Sequence, residues 1–170
     1  MATGSPALSG PAPRPVLVLG WGNRSRGDDA LGPELLDRLQ RWLETAHPAR
    51  AHQVDWLEDY QLQIEHTLDL KDRRAVLLLD AAVGLDTPVA WRTVQPRRDR
   101  SLSTHALSPE TLLQIFEDVH GQPAPPCELL LMQAQAFALG QPPQPEAWQA
   151  LALAETQARA WLLTQLGDEP

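Results

Sequence analysis

A chain of 170 residues with 43% hydrophobic content suits one globular domain with one core. The net charge of -8 excludes a general nucleic-acid-binding face, which needs basic residues. The single cysteine, Cys127, excludes an internal disulfide, a zinc ribbon and an iron–sulfur site.

Residues 1–14 are rich in Pro, Ala, Gly and Ser and are expected to form a flexible N-terminal arm ahead of one domain over 15–168. The arm lacks a positive start followed by an apolar run, so it is not a secretory signal. No run is long and apolar enough to span a membrane. The expectation is a cytoplasmic protein with no membrane and no nucleic-acid partner.

Val16, Leu17, Val18 and Leu19 form a short apolar run, the pattern of a strand buried on both faces. A loop over 20–29 follows, with glycines at 20, 22 and 27 and ending in Asp28 and Asp29. A helix is expected next, because Leu31, Leu35, Leu39 and Leu43 recur every four residues. Residues 52–57 are a weaker strand, and 61–70 have helical spacing, with Leu62, Ile64 and Leu68 apolar. Ala75 to Leu79 is a second buried strand, followed directly by Asp80. Residues 89–94 contain good strand formers, and 95–107 form an arginine-bearing loop. Ser108, Pro109 and Glu110 start a helix through a capping hydroxyl, a proline in the first turn and an acid at the positive end. Residues 128–133 are a further apolar strand. A last helix runs over 146–166, with Gly167 placed to end it. Alternating strands and helices predict an α/β domain with a mainly parallel sheet, helices on both faces and a site at the carboxyl ends of the strands.

The glycine loop does not have nucleotide-binding spacing. No glycine follows Gly22 three residues on, and no Gly-Lys-Ser/Thr is present. Asp28 and Asp29 also put negative charge where a phosphate would sit. One of the two is expected to cap the helix, leaving the other free to face the cleft. Asp80 ends an apolar run, where a carboxylate is costly unless paired, hydrogen-bonded or bound to a metal. It reads either as a site residue or as an acid bonded to the N–H groups of Ala81 and Ala82. His105, in a polar loop, gains interest from the two carboxylates. Two carboxylates and an imidazole suit a borderline divalent metal with positions left open for substrate. Ser25, Asp80 and His105 also fall in the chain order of a hydrolase triad, but no Gly-x-Ser-x-Gly elbow surrounds Ser25. Arg92, Arg97, Arg98 and Arg100 either guide an acidic partner segment or form a solvated surface.

Residues 16–23, Val-Leu-Val-Leu-Gly-Trp-Gly-Asn, and 27–32, Gly-Asp-Asp-Ala-Leu-Gly, resemble the opening signature of the [NiFe]-hydrogenase maturation endopeptidases. Leu77 to Ala81 is similar to the family's second acidic motif, and Ser103-Thr104-His105 to its histidine motif. The resemblance covers nearly the whole chain after about residue 14. It implies a three-layer α/β/α fold with a twisted, mainly parallel five-stranded sheet. It also implies an endopeptidase that removes a C-terminal extension from a hydrogenase large-subunit precursor. By resemblance, the metal-contacting and catalytic positions are Asp29, Asp80 and His105, and the nickel they meet is carried by the substrate rather than permanently bound. Many members carry Glu at the position of Asp29. Residues 58–65 stand where several relatives have a glycine-rich motif, and are more similar to members serving cytoplasmic NAD-reducing hydrogenases. By position, Asp59 and Gln61 follow the second strand and could reach the same edge; for Asp59, a solvated helix start is the alternative. Two other functions stay open on the residues alone: a serine hydrolase using Ser25, and a non-enzymatic metal- or nucleotide-binding module.

Overall fold

The computed structural model describes residues 12–98 and 107–167. Five strands form one sheet: β1 (Val16–Trp21), β2 (Val54–Asp59), β3 (Ala75–Ala82), β4 (Val89–Thr93) and β5 (Cys127–Gln133). Their order is β2-β1-β3-β5-β4. All neighbours run parallel except β4, which lies antiparallel on the edge beside β5. Among the described residues the helices are α1 (Leu31–Ala46), the single-turn α2 (His66–Asp69), α3 (Pro109–His120) and α4 (Pro145–Leu166).

Alternation along the strands sorts the core into two layers. Val16, Val18, Leu77, Leu79, Leu130 and Met132 pack beneath α1 and α4. Leu17, Leu19, Val76, Leu78 and Leu129 pack against Leu112, Leu113 and Phe116 of α3. The continuous apolar runs of β1 and β3 follow from this burial on both faces. The result is the expected α/β/α sandwich with a five-stranded, mostly parallel sheet. On α4, Ala147, Ala150, Leu151, Ala154, Ala158 and Leu162 form the buried line, with Trp148 and Trp161 half-buried at its flanks. The small residues let α4 lie close to its neighbours.

The helix signals at 108–110 are met: the Ser108 hydroxyl accepts the Thr111 N–H at 3.2 Å, and α3 ends at Gly121 in the left-handed region. Gly167 closes α4 in the same way. The helix expected over 61–70 shrinks to α2. Side chains instead hold the chain in turns ahead of it: Asp59 accepts from Tyr60 N–H, and His66 Nδ1 accepts from Gln63 N–H. Leu62 is buried, but Ile64 and Leu68 are 56% and 69% exposed, so the apolar spacing does not mark a core face. β3 also runs past its apolar stretch to Ala82, which puts Asp80 inside the strand, opposite Leu131.

Chain order reverses at β1, which has β2 on one side and β3 on the other. The helix after β1 covers one face, while α3 covers the opposite face. Such a switch point opens a crevice at the carboxyl ends of the two central strands. No helix among the described residues is long and apolar enough to cross a membrane.

Candidate functional site

The loop leaving β1 is built by close backbone approach. A Cβ on Gly20 would stand 2.8 Å from the carbonyl oxygen of Gly32, which draws the start of α1 onto the strand end. Gly22 has φ +142°, and a Cβ there would fall 2.0 Å from the carbonyl oxygen of Asp29. These glycines fold the loop onto its own acidic end, a packing role that needs no phosphate.

Asp28 and Asp29 part company at this turn. Asp28 is fully buried in a short 3-10 turn, Gly27–Ala30, whose start has no side-chain cap. Its Oδ2 accepts the N–H groups of Gln135 at 2.7 Å and Ala136 at 3.1 Å, and its Oδ1 accepts that of Gln144 at 2.7 Å. The carboxylate thereby joins the β1 loop to the β5–α4 connection and supplies the start of α4, where Gln144 makes no side-chain cap. Capping by one acid of the pair is thus replaced by a long-range staple. Asp29 is the acid left at the crevice. It is half-buried, and its Oδ2 accepts the Asn23 N–H at 2.8 Å.

Asp80 lies at the other side of the switch point. Its Oδ1 accepts the Ala81 N–H at 2.8 Å, as the structural reading expects, and the Trp21 indole takes the place foreseen for Ala82. Burial pushes the carboxyl up to about 7, with the charge of Asp29 adding to the rise and the bonds from Ala81 and Trp21 opposing it. The local hydrogen bonds therefore fall short of satisfying this carboxylate as an anion. One acid in the turn after β1 and one within β3 interact where the sheet reverses, an arrangement that attracts a proton or a cation.

His105 and Arg100 lie outside the described residues. Among the described residues, no three side chains of His, Cys, Asp or Glu converge as a metal-binding group. The Ser25 N–H donates to Asn23 Oδ1 at 2.9 Å, forming an exposed turn, and no histidine among the described residues bonds to its hydroxyl. Arg92 pairs with Glu110, and Arg98 pairs with Asp118 at 2.8 Å, so both engage acids of α3. Burial works to raise the Glu110 carboxyl, but Arg92, the residue's own backbone N–H and the charge of Arg97 together hold it below its ordinary range. Burial pushes the Cys127 thiol up to about 12, leaving it unreactive.

Beside Asp29 opens a cleft of about 360 Å³, lined by residues 22–25 and by Glu58, Asp59 and Tyr60. Arg24 spans its rim, donating to Glu58 at 2.8 and 2.7 Å and pairing with Asp37 at 3.0 Å. Asp59 reaches this edge, but Gln61 is not among the lining residues. Its carboxylate is bonded by Tyr60, Gln63 and His66, so it is not merely a solvated helix start. The pairing of Asp59 with His66 is a relationship that sequence spacing did not reveal.

No family profile matches the chain, and no curated protein matches it in sequence. Solved structures do. The chain is similar to the [NiFe] hydrogenase maturation protease HycI from Thermococcus kodakarensis, with TM-score 0.64 and 21% identity over 89% of this chain and 93% of that one. It is similar to the hydrogenase maturating endopeptidase HybD from E. coli, with TM-score 0.65 and 19% identity over 88% and 93%. A hydrogenase 2 maturation peptidase from a Thaumarchaeota archaeon aligns with TM-score 0.56 and 23% identity over 91% and 99%. The chain has the fold of the hydrogenase maturation endopeptidases across nearly its whole described length.

Proposed function

We propose that this protein is an endopeptidase that removes a C-terminal extension from the nickel-loaded large-subunit precursor of a [NiFe] hydrogenase. The observation that carries the reading is the pair of Asp29 and Asp80, which interact at the switch point of a fold shared with such enzymes. In this proposal Asp29, Asp80 and His105 meet the nickel held by the precursor, which enters as part of the substrate. Near neutral pH the raised carboxyl of Asp80 holds a proton part of the time; an arriving divalent cation displaces it to solvent, because the ion's charge offsets both burial and the repulsion from Asp29. Contact with the metal positions the neighbouring peptide bond and gates cleavage on nickel insertion. The ion can also lower the pKa of a bound water. Similarity of residues 58–65 to members serving cytoplasmic NAD-reducing hydrogenases supports a precursor of that kind and a cytoplasmic location.

The test is processing of the cognate precursor by Asp29→Ala, Asp80→Ala and His105→Ala variants with unchanged circular dichroism. Each is expected to lose cleavage. Normal cleavage by all three would overturn the assignment.

A further inference from the structure

Behind the cleft stands a histidine to which the proposed reaction gives no role. His66 is 4% exposed, and both ring nitrogens are engaged. Nδ1 accepts the Gln63 backbone N–H at 2.9 Å, so the ring proton belongs on Nε2, which lies 3.2 Å from Asp59 Oδ2 and donates to it. The Gln63 side-chain amide reaches the two oxygens of the same carboxylate at 3.3 and 3.2 Å, and the Tyr60 N–H donates to Oδ1 at 2.6 Å. Donors from one short segment thus fix the Asp59 side chain on the wall of the cleft.

The main chain of Asp59 is tied in the other direction. Its carbonyl accepts the Gly22 N–H at 3.0 Å, and the next amide, that of Asn23, donates to Asp29 Oδ2 at 2.8 Å. A continuous run of hydrogen bonds and covalent links therefore leads from the buried imidazole to the Asp29 carboxylate.

We propose that His66, with Gln63, is a positioning residue: by clamping Asp59 it fixes the end of β2 and, through the turn at Gly22 and Asn23, the orientation of Asp29 at the crevice. The inference rests on the reading that Asp29 acts on the precursor. Histidine suits the task because it accepts from the backbone on one side while donating to a carboxylate on the other, which an apolar residue of the same size cannot do.

The experiment compares His66→Phe, which removes both bonds, with His66→Gln, which keeps an amide donor, and with Gln63→Ala, a milder change outside the core. Site-resolved amide exchange is followed in the full chain. The Gly22 and Asn23 amides are expected to exchange about ten-fold faster in His66→Phe and Gln63→Ala, with β3 unchanged, and to recover in His66→Gln. The kcat/KM for precursor cleavage is expected to fall and recover in the same order. Unaltered exchange at these two amides in Gln63→Ala and in folded His66→Phe would overturn the proposal. Accelerated exchange with unaltered cleavage would overturn the part that His66 plays in the reaction. Accelerated exchange together with no cleavage by the parent protein would support the clamp and overturn the function reading instead.

Discussion

Burial raises the carboxyl of Asp80 and the charge of Asp29 adds to the rise, although one acid follows β1 and the other lies within β3. The parallel register of β1 and β3 pairs Gly20 with Leu79, so the loop after β1 begins beside Asp80. Fold topology, rather than any local motif, makes these two carboxylates neighbours.

Stability should depend on pH through Asp80. Its ordinary value is 3.8 and its folded value about 7, so between these the folded state holds more protons than the unfolded. Stability from this group is present at low pH and is lost as pH rises through about 7. Asp80→Asn removes the titration. The stability of the parent relative to this variant should fall by on the order of 2 kcal/mol between acid and neutral pH, a figure reduced for partial exposure. Urea denaturation of both proteins across that range measures it.

Asp28 and Asp29 should respond oppositely to truncation. Asp28→Ala leaves three part-buried N–H groups without their acceptor and should cost roughly 3 kcal/mol by urea denaturation. Asp29→Ala removes one half-buried acceptor and relieves repulsion on Asp80. It should change stability by no more than about 1 kcal/mol while abolishing cleavage. It should also lower the Asp80 pKa, observable by carboxyl carbon NMR titration.

Two glycines with positive φ should differ sharply. Gly22→Ala drives a methyl group into the Asp29 carbonyl and should cost on the order of 3 kcal/mol or more. Gly121→Ala meets no atom within 4 Å and carries only the penalty of the left-handed backbone, roughly 1 kcal/mol. Thermal unfolding of the two variants side by side tests the contrast.

The ion pairs of Arg24 with Glu58 and Asp37 hold the rim of the cleft, and Arg24 draws the Glu58 carboxyl below its ordinary range. The groups are exposed enough to be screened, so Arg24→Ala should cost less than about 1 kcal/mol. That cost should shrink further in high salt, which denaturation at two ionic strengths would show.

The sheet was legible where physics is local. β1, β3 and β5 are apolar runs because both faces are buried, and Ser108 with Pro109 marks a helix start through bonds spanning only a few residues. The segment 61–70 misled because its first residues are bonded into turns, and Ile64 and Leu68, apolar at helical spacing, face solvent. The adjacent acids could be recognised as a pair with one member free, but not which one. The partners of Asp28 lie more than a hundred residues away, in a connection whose prolines mark a loop but not its partner. Likewise, Asp80 stood out as a costly carboxylate, whereas its coupling to Asp29 depends on strand order. The clamp of His66 on Asp59 was hidden because it depends on the turns over 60–65, which bring the start of α2 back to the end of β2.

The most direct test of the proposed function is a mass measurement. The purified protein is incubated with the large-subunit precursor of its own hydrogenase, once loaded with nickel and once nickel-free. Loss of a C-terminal peptide from the nickel-loaded precursor alone is the predicted result. No loss from a nickel-loaded precursor shown to be competent by another route would contradict the protease reading, and equal loss from both would contradict nickel as the gate.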